Sequence, residues 1–302
     1  MIRPRLRIPR IPQLGQAPVP SAASLSLTFR RSMHRVPKLD YNHLPGLPGL
    51  LSPAAMKIAW TEYQTVILEK LNQATSETNW ANQDIKSVVI ESSRDPENAV
   101  VFNHASMAHN NHFFFKQLSP EPTEMSELLK TSLEKTFMSI ETLRREMIYT
   151  ADAMFGPGFV WLVKVPLQGM PTAFQVLTTY LAGSPYPNAH WRRQDMDMNT
   201  AVGQSEQGLL AGRKFLQNTA FGIGNRASEA SKKIMLSPGG INVIPILCLN
   251  TWEHVWLPDY GFGGNGSPDK GKLAFYERWW NKIDWQKVED VADISRLGMK
   301  GA

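Results

Sequence analysis

A chain of 302 residues, 42% hydrophobic and with a net charge of +5, is long and apolar enough to build a sizeable core, as one large domain or two small ones. The single cysteine, Cys248 in the apolar run 241–249, excludes a disulfide framework and a cysteine-based zinc site. No apolar stretch approaches the ~20 residues that span a bilayer, so no membrane partner is expected.

The charge is unevenly placed. Residues 1–33 carry Arg3, Arg5, Arg7, Arg10, Arg30 and Arg31 and no Asp, Glu or Lys; the remainder holds 26 Lys+Arg against 27 Asp+Glu, a net of −1. An acid-free, Arg-rich leader ending Ser-Leu-Thr-Phe-Arg30-Arg31-Ser32 reads as a mitochondrial transit peptide over 1–33, cut after the paired arginines. The other reading is a basic arm that stays on the chain and touches nucleic acid. Prolines at 4, 9, 12, 18 and 20 oppose a persistent helix there.

The body divides into a helical part, 34–150, and a mixed part, 151–302. Residues 37–51 form an extended lead-in, and Ser52-Pro53 supplies an N-cap and a first-position proline for a helix to about Asn72. Helical stretches follow at about 97–117 and 123–150, closed by Gly156-Pro157-Gly158. Segments 159–165, 174–180 and 241–249 have the β-branched and aromatic content of strands, with Pro245 confined to an edge or bulge. Helices return at about 270–293. The expected class is α+β: a helical hairpin and a long helix, a three-stranded antiparallel sheet, then C-terminal helices. The segment 182–240, with a net charge of +3, is an insertion longer than compact domains normally carry.

Several motifs share one resemblance. Leu51-Ser-Pro-Ala-Ala-Met-Lys-Ile58, Phe102-Asn103, Asn110-Asn111-His112-Phe-Phe-Phe115, Leu118-Ser-Pro120, Met154-Phe-Gly-Pro-Gly-Phe-Val-Trp-Leu-Val163 and Asn250-Thr-Trp-Glu-His254 occur in this order, followed by Trp279-Trp280-Asn281 and Asp284-Trp285. The series is similar to the iron/manganese superoxide dismutases, over about residues 38–293 apart from the insertion.

That family binds its metal through three histidines and one aspartate, and the resemblance implies that this site is degenerate here. Ala59 falls in the first ligand position, with Trp60, Tyr63 and Gln64 where other histidines would stand and Ile67 where a tyrosine would. A gapless alignment puts Asn111 in the second position and displaces His112 by one residue, about 100° of helix rotation. Aligning His112 instead requires an insertion and a compensating deletion. Asn250 replaces the aspartate, and His254 remains. No metal, cofactor or catalysis is expected, since such sites rely on carboxylate and imidazole donors. His109 and His112 read as ordinary hydrogen-bonded helix histidines.

Within the family, the glutamate before the last histidine reaches across a two-fold interface. Trp252, Glu253 and His254 therefore imply a retained pairing surface, for a second copy or a related protein; Glu253 serving a local buried donor is the alternative. The whole pattern looks like the non-catalytic superoxide-dismutase-like proteins of the mitochondrial small ribosomal subunit, of fungal type. That group implies a related partner forming a heterodimer, other small-subunit proteins around it, and a place in the matrix. A near-neutral body argues for limited ribosomal RNA contact, with Arg192, Arg193, Arg213, Lys214, Lys232 and Lys233 as candidates and a solvated loop face as the alternative. A superoxide dismutase with an unusual metal shell and a free matrix scaffold are the competing functions.

Overall fold

Ser52 starts the first helical run. In the computed structural model, which describes residues 34–93, 95–165, 173–186, 189, 243–263 and 269–293, its hydroxyl accepts from the Ala55 N–H at 3.2 Å. Pro53 occupies the first helical position, where no N–H is needed. Helix α1 (Pro53–Met56) continues into a π-helical segment (Lys57–Glu62) and then α2 (Tyr63–Thr75), so the run extends past the expected end at Asn72. A short helix that the sequence pattern does not announce, α3 (Ile85–Ser92), is capped by Asp84. A 3-10 turn (Pro96–Asn98) leads into α4 (Ala99–Lys116). Leu68, Leu71, Val88, Val89, Val101 and Phe102 bury a secondary core among α2, α3 and α4.

The stretch expected as one helix over 123–150 is two, α5 (Glu127–Phe137) and α6 (Ile140–Ala153). Met138 breaks it with φ of 68°, and Ser139 recaps the chain by accepting from Thr142 N at 3.1 Å. No Gly or Pro marks the break. The cap offsets part of the strain of a left-handed non-glycine residue.

The sheet follows the turn at Gly156, whose φ is 99°. Strands β1 (Gly158–Val165), β2 (Ala173–Tyr180) and β3 (Ile244–Asn250) form an antiparallel sheet of order β2-β1-β3. Pro245 sits beside an irregularity: Leu162 pairs with Leu247 but Val163 pairs with Pro245, leaving Ile246 as the extra residue. The proline is thus at an edge strand and at a bulge, where a missing donor is tolerated. Gln117, just past α4, covers that edge: its amide donates to the Ile246 carbonyl and its oxygen accepts from Cys248 N at 3.1 Å.

Three helices close the chain: α7 (Glu253–Tyr260), α8 (Gly271–Trp280) and α9 (Trp285–Ala292). Lys164 of β1 reaches the last turn of α9, donating to the Ala292 carbonyl at 2.5 Å. Residues from Leu47 in the lead-in to Ala292 in α9 share the principal core.

Candidate functional site

Three distant parts of the chain meet through amides. The π segment brings Ala59, which is 0% exposed, and one π turn later α2 brings Gln64, also 0% exposed. From α4, Asn111 donates through Nδ2 to the Ala59 carbonyl at 3.2 Å and to Gln64 Oε1 at 3.0 Å. Gln64 Nε2 in turn donates to the Ala108 carbonyl at 2.9 Å, which fixes its orientation. At the end of β3, Asn250 Nδ2 donates to Asn111 Oδ1 at 3.4 Å, and Asn250 Oδ1 accepts from Trp252 N at 2.9 Å. The last contact is an Asx-turn that carries the chain from strand into α7.

His254, on the first turn of α7, stacks on Tyr63 with ring centroids 4.1 Å apart. Burial lowers its pKa to about 4, so the ring is neutral near pH 7, and burial pushes the Tyr63 phenol up to about 12. His254 Nε2 and the neighbouring Trp252 Nε1 are buried without a hydrogen-bond partner. Among the described residues the Glu253 carboxylate makes no hydrogen bond or ion pair.

His112 stands apart from the amides. Its ring lies against Trp60, centroids 5.9 Å apart, and its pKa is lowered to about 4 by burial and then by Lys116. His109 is bonded through Nε2 to the Tyr186 hydroxyl at 2.7 Å. Ile67 is half-buried and packs against both cores.

This donor set does not fit an iron or manganese ion. Ala59 has only a methyl group, both Asn111 amide atoms are engaged with neighbouring groups, and Asn250 Oδ1 already accepts a backbone N–H. His254 Nε2 alone is left to coordinate. Among the described residues, no three His, Cys, Asp or Glu side chains gather as a metal would need.

Comparison with known proteins agrees with this fold. Residues 219–291 match the iron/manganese superoxide dismutase C-terminal domain. In that region the chain is similar to the iron/manganese superoxide dismutases. Over more of its length, the chain is similar to the small ribosomal subunit protein mS43 of Schizosaccharomyces pombe, 26% identical over 266 residues, covering 85% of this chain and 83% of that protein. It is also similar to the small ribosomal subunit protein mS42 of the same organism, 26% identical over 216 residues, covering 70% and 74%. The iron superoxide dismutase of Helicobacter pylori is 31% identical, but over 111 residues, 37% of this chain and half of that enzyme.

Sequence reasoning missed how Gln64 is used. Its position stood out only as a lost histidine, whereas a buried glutamine on an apolar helix face must be bonded, which was the available signal. Arg192, Arg193, Arg213, Lys214, Lys232 and Lys233, with most of the insertion and the 1–33 leader, lie outside the described residues.

Proposed function

We propose that this chain is a structural, non-catalytic component of the mitochondrial small ribosomal subunit, acting in mitochondrial translation. The observation that carries the reading is the span of the similarity. Proteins named for the small ribosomal subunit match across 85% and 70% of the chain, while an iron superoxide dismutase matches across 37%. The amide-filled site supports it, because the superoxide dismutase alternative needs a redox metal in a tuned donor shell and three of the four positions lack a free donor. The acid-free leader supports the mitochondrial matrix as the place of action.

The partner is a related superoxide dismutase-like protein or a second copy, docked at Trp252, Glu253 and His254, with other small-subunit proteins nearby. Support comes from a Glu253 carboxylate that makes no hydrogen bond or ion pair among the described residues, beside buried Trp252 Nε1 and His254 Nε2 atoms that find no hydrogen-bond partner among them. RNA contact is limited and falls to the basic residues of the insertion, in keeping with a body of net charge −1.

Sucrose-gradient sedimentation of mitochondrial lysate tests the assignment. The chain is expected to travel with the small subunit, and a chain that stays at the top of the gradient removes the ribosomal reading. Purified protein carrying stoichiometric iron or manganese, with dismutase activity, would restore the enzyme instead.

A further inference from the structure

We infer that the free edge of β2 is a docking site for a second copy of this chain, paired antiparallel about a two-fold axis at Leu177. The two edges of the sheet are built differently. On the β3 side, Pro245, the extra residue at Ile246 and the Gln117 amide blunt and cover the ladder. On the β2 side none of these devices is present. Ala173–Tyr180 contains no proline and no charged residue, and it pairs with β1 over its whole length without a bulge. Among the described residues, no main-chain hydrogen bond reaches 173–179 except from β1. Half of the N–H and C=O groups there point outward, a row that another extended backbone matches.

The chain itself supplies a strand that fits. A two-fold axis perpendicular to the sheet keeps each face on its own side, so residues opposite one another differ in number by an even count. Centring on Leu177 sets Leu177 against its own copy, Val176 against Thr178, Gln175 against Thr179 and Phe174 against Tyr180. The set holds an aliphatic, a β-branched and an aromatic cross-strand pair, and no like charges meet. Centring one residue earlier would leave Tyr180, 53% exposed, with no residue opposite it. Val176 and Leu177 are only half-buried in the single chain, and the pairing adds to their cover. Because the strand order is β2-β1-β3, this edge lies across the sheet from the strand that leads to Trp252, Glu253 and His254. Docking at β2 therefore leaves that face open to another partner.

Sedimentation velocity and single-cysteine cross-linking of the purified full-length chain test this. The wild-type chain is expected to sediment as a dimer, and a monomer at every soluble concentration overturns the inference. Cys248 is fully buried, so an added thiol reports alone. Leu177→Cys is expected to form a covalent dimer under mild oxidation, since a disulfide tolerates a Cα separation of about 7 Å at most. Gln175→Cys, Val176→Cys and Thr178→Cys lie farther from their own copies and should stay uncoupled; cross-linking that peaks at any of them overturns the inference. Charge gives a second reading. Val176→Lys with Thr178→Lys sets like charges near the two copies' facing positions and should weaken association roughly tenfold. Val176→Lys with Thr178→Glu sets opposite charges face to face and should stay dimeric. Loss of the dimer in both double variants, or in neither, overturns the inference. A dimer undone only by Glu253→Ala places the contact at α7 and overturns it as well. None of these outcomes bears on the ribosomal reading.

Discussion

Asn250 Nδ2 donates to Asn111 Oδ1 across 3.4 Å, joining the end of β3 to the middle of α4. Both residues are fully buried. A site emptied of its ion would leave polar groups and space in the core. Here neutral amides bond to one another and to the Ala59 and Ala108 carbonyls, so the centre of the fold is held without charge.

Placing an aspartate alone at position 250 should therefore harm the protein. In Asn250→Asp an oxygen replaces the amino group that faces Asn111 Oδ1. Asn111 cannot turn its amide without giving up Ala59 and Gln64. A buried carboxylate held only by the Trp252 N–H, with its second oxygen against Asn111 Oδ1, costs about 3–5 kcal/mol. Its pKa would rise above the unfolded value of about 3.9, so the native state would bind the proton more readily and the loss should shrink as pH falls. Urea unfolding at pH 7 and pH 5 checks both parts. Wild-type stability together with bound metal would sink the account.

Gln117 stands in for a neighbouring strand at the edge of β3. Gln117→Leu keeps the volume but leaves the Ile246 carbonyl and the Cys248 N–H unpaired in a buried setting. A loss of about 2–4 kcal/mol in denaturant unfolding is expected. A loss below about 0.5 kcal/mol would mean that the edge finds other partners.

Much of this architecture was legible in the chain, for reasons that differ by element. Ser52-Pro53 announced its helix because cap and first-position proline are local chemistry. The strands were visible because Phe159–Val165 and Phe174–Tyr180 carry β-branched and aromatic residues in short runs. Helix α3 escaped because eight residues containing Ile85, Val88, Val89 and Ile90 fit a strand pattern equally well, and packing against α2 and α4 decides the matter. The break at Met138 escaped because its signal is one serine among helix formers. At the site, residue type alone shows that the Ala59 side chain offers no polar atom and that Asn250 carries no charge. The bonding among Gln64, Asn111 and Asn250 could not be read that way, because it depends on the π segment that sets the angle of Gln64.

Asp259, near the end of α7, binds the start of the first helical run. Ser52 N donates to one carboxylate oxygen at 2.6 Å and Ser52 Oγ donates to the other at 2.7 Å. These are charge-assisted bonds between residues 207 positions apart. Asp259→Ala should cost about 2 kcal/mol, or roughly 4–8 °C in Tm. Asp259→Asn, which keeps one acceptor, should cost less. An equal loss in both variants would show that the charge, rather than the acceptor count, carries the link.

Three buried imidazoles give the fold a directional dependence on pH. His109, His112 and His254 each have a pKa lowered to about 4, in every case chiefly by burial. Lys116 adds to the effect at His112, while Asp40 opposes it. The unfolded chain takes up protons on these rings below about pH 6.5, and the native chain refuses them until about pH 4. More protons are bound unfolded than folded across that window, so stability rises with pH within it. It is complete above about 6.5 and is lost as pH falls towards 4, by at most about 1.4 kcal/mol per pH unit for each ring. Carboxylates contribute their own slope at the acid end, so the comparison that isolates the effect is wild type against His254→Gln, which stays neutral. Unfolding free energies between pH 7 and pH 5 should fall less steeply in the variant, by up to about 1.4 kcal/mol per pH unit. Parallel slopes would mean that His254 accepts its proton in the native state, and that solvent or a docked carboxylate reaches its ring.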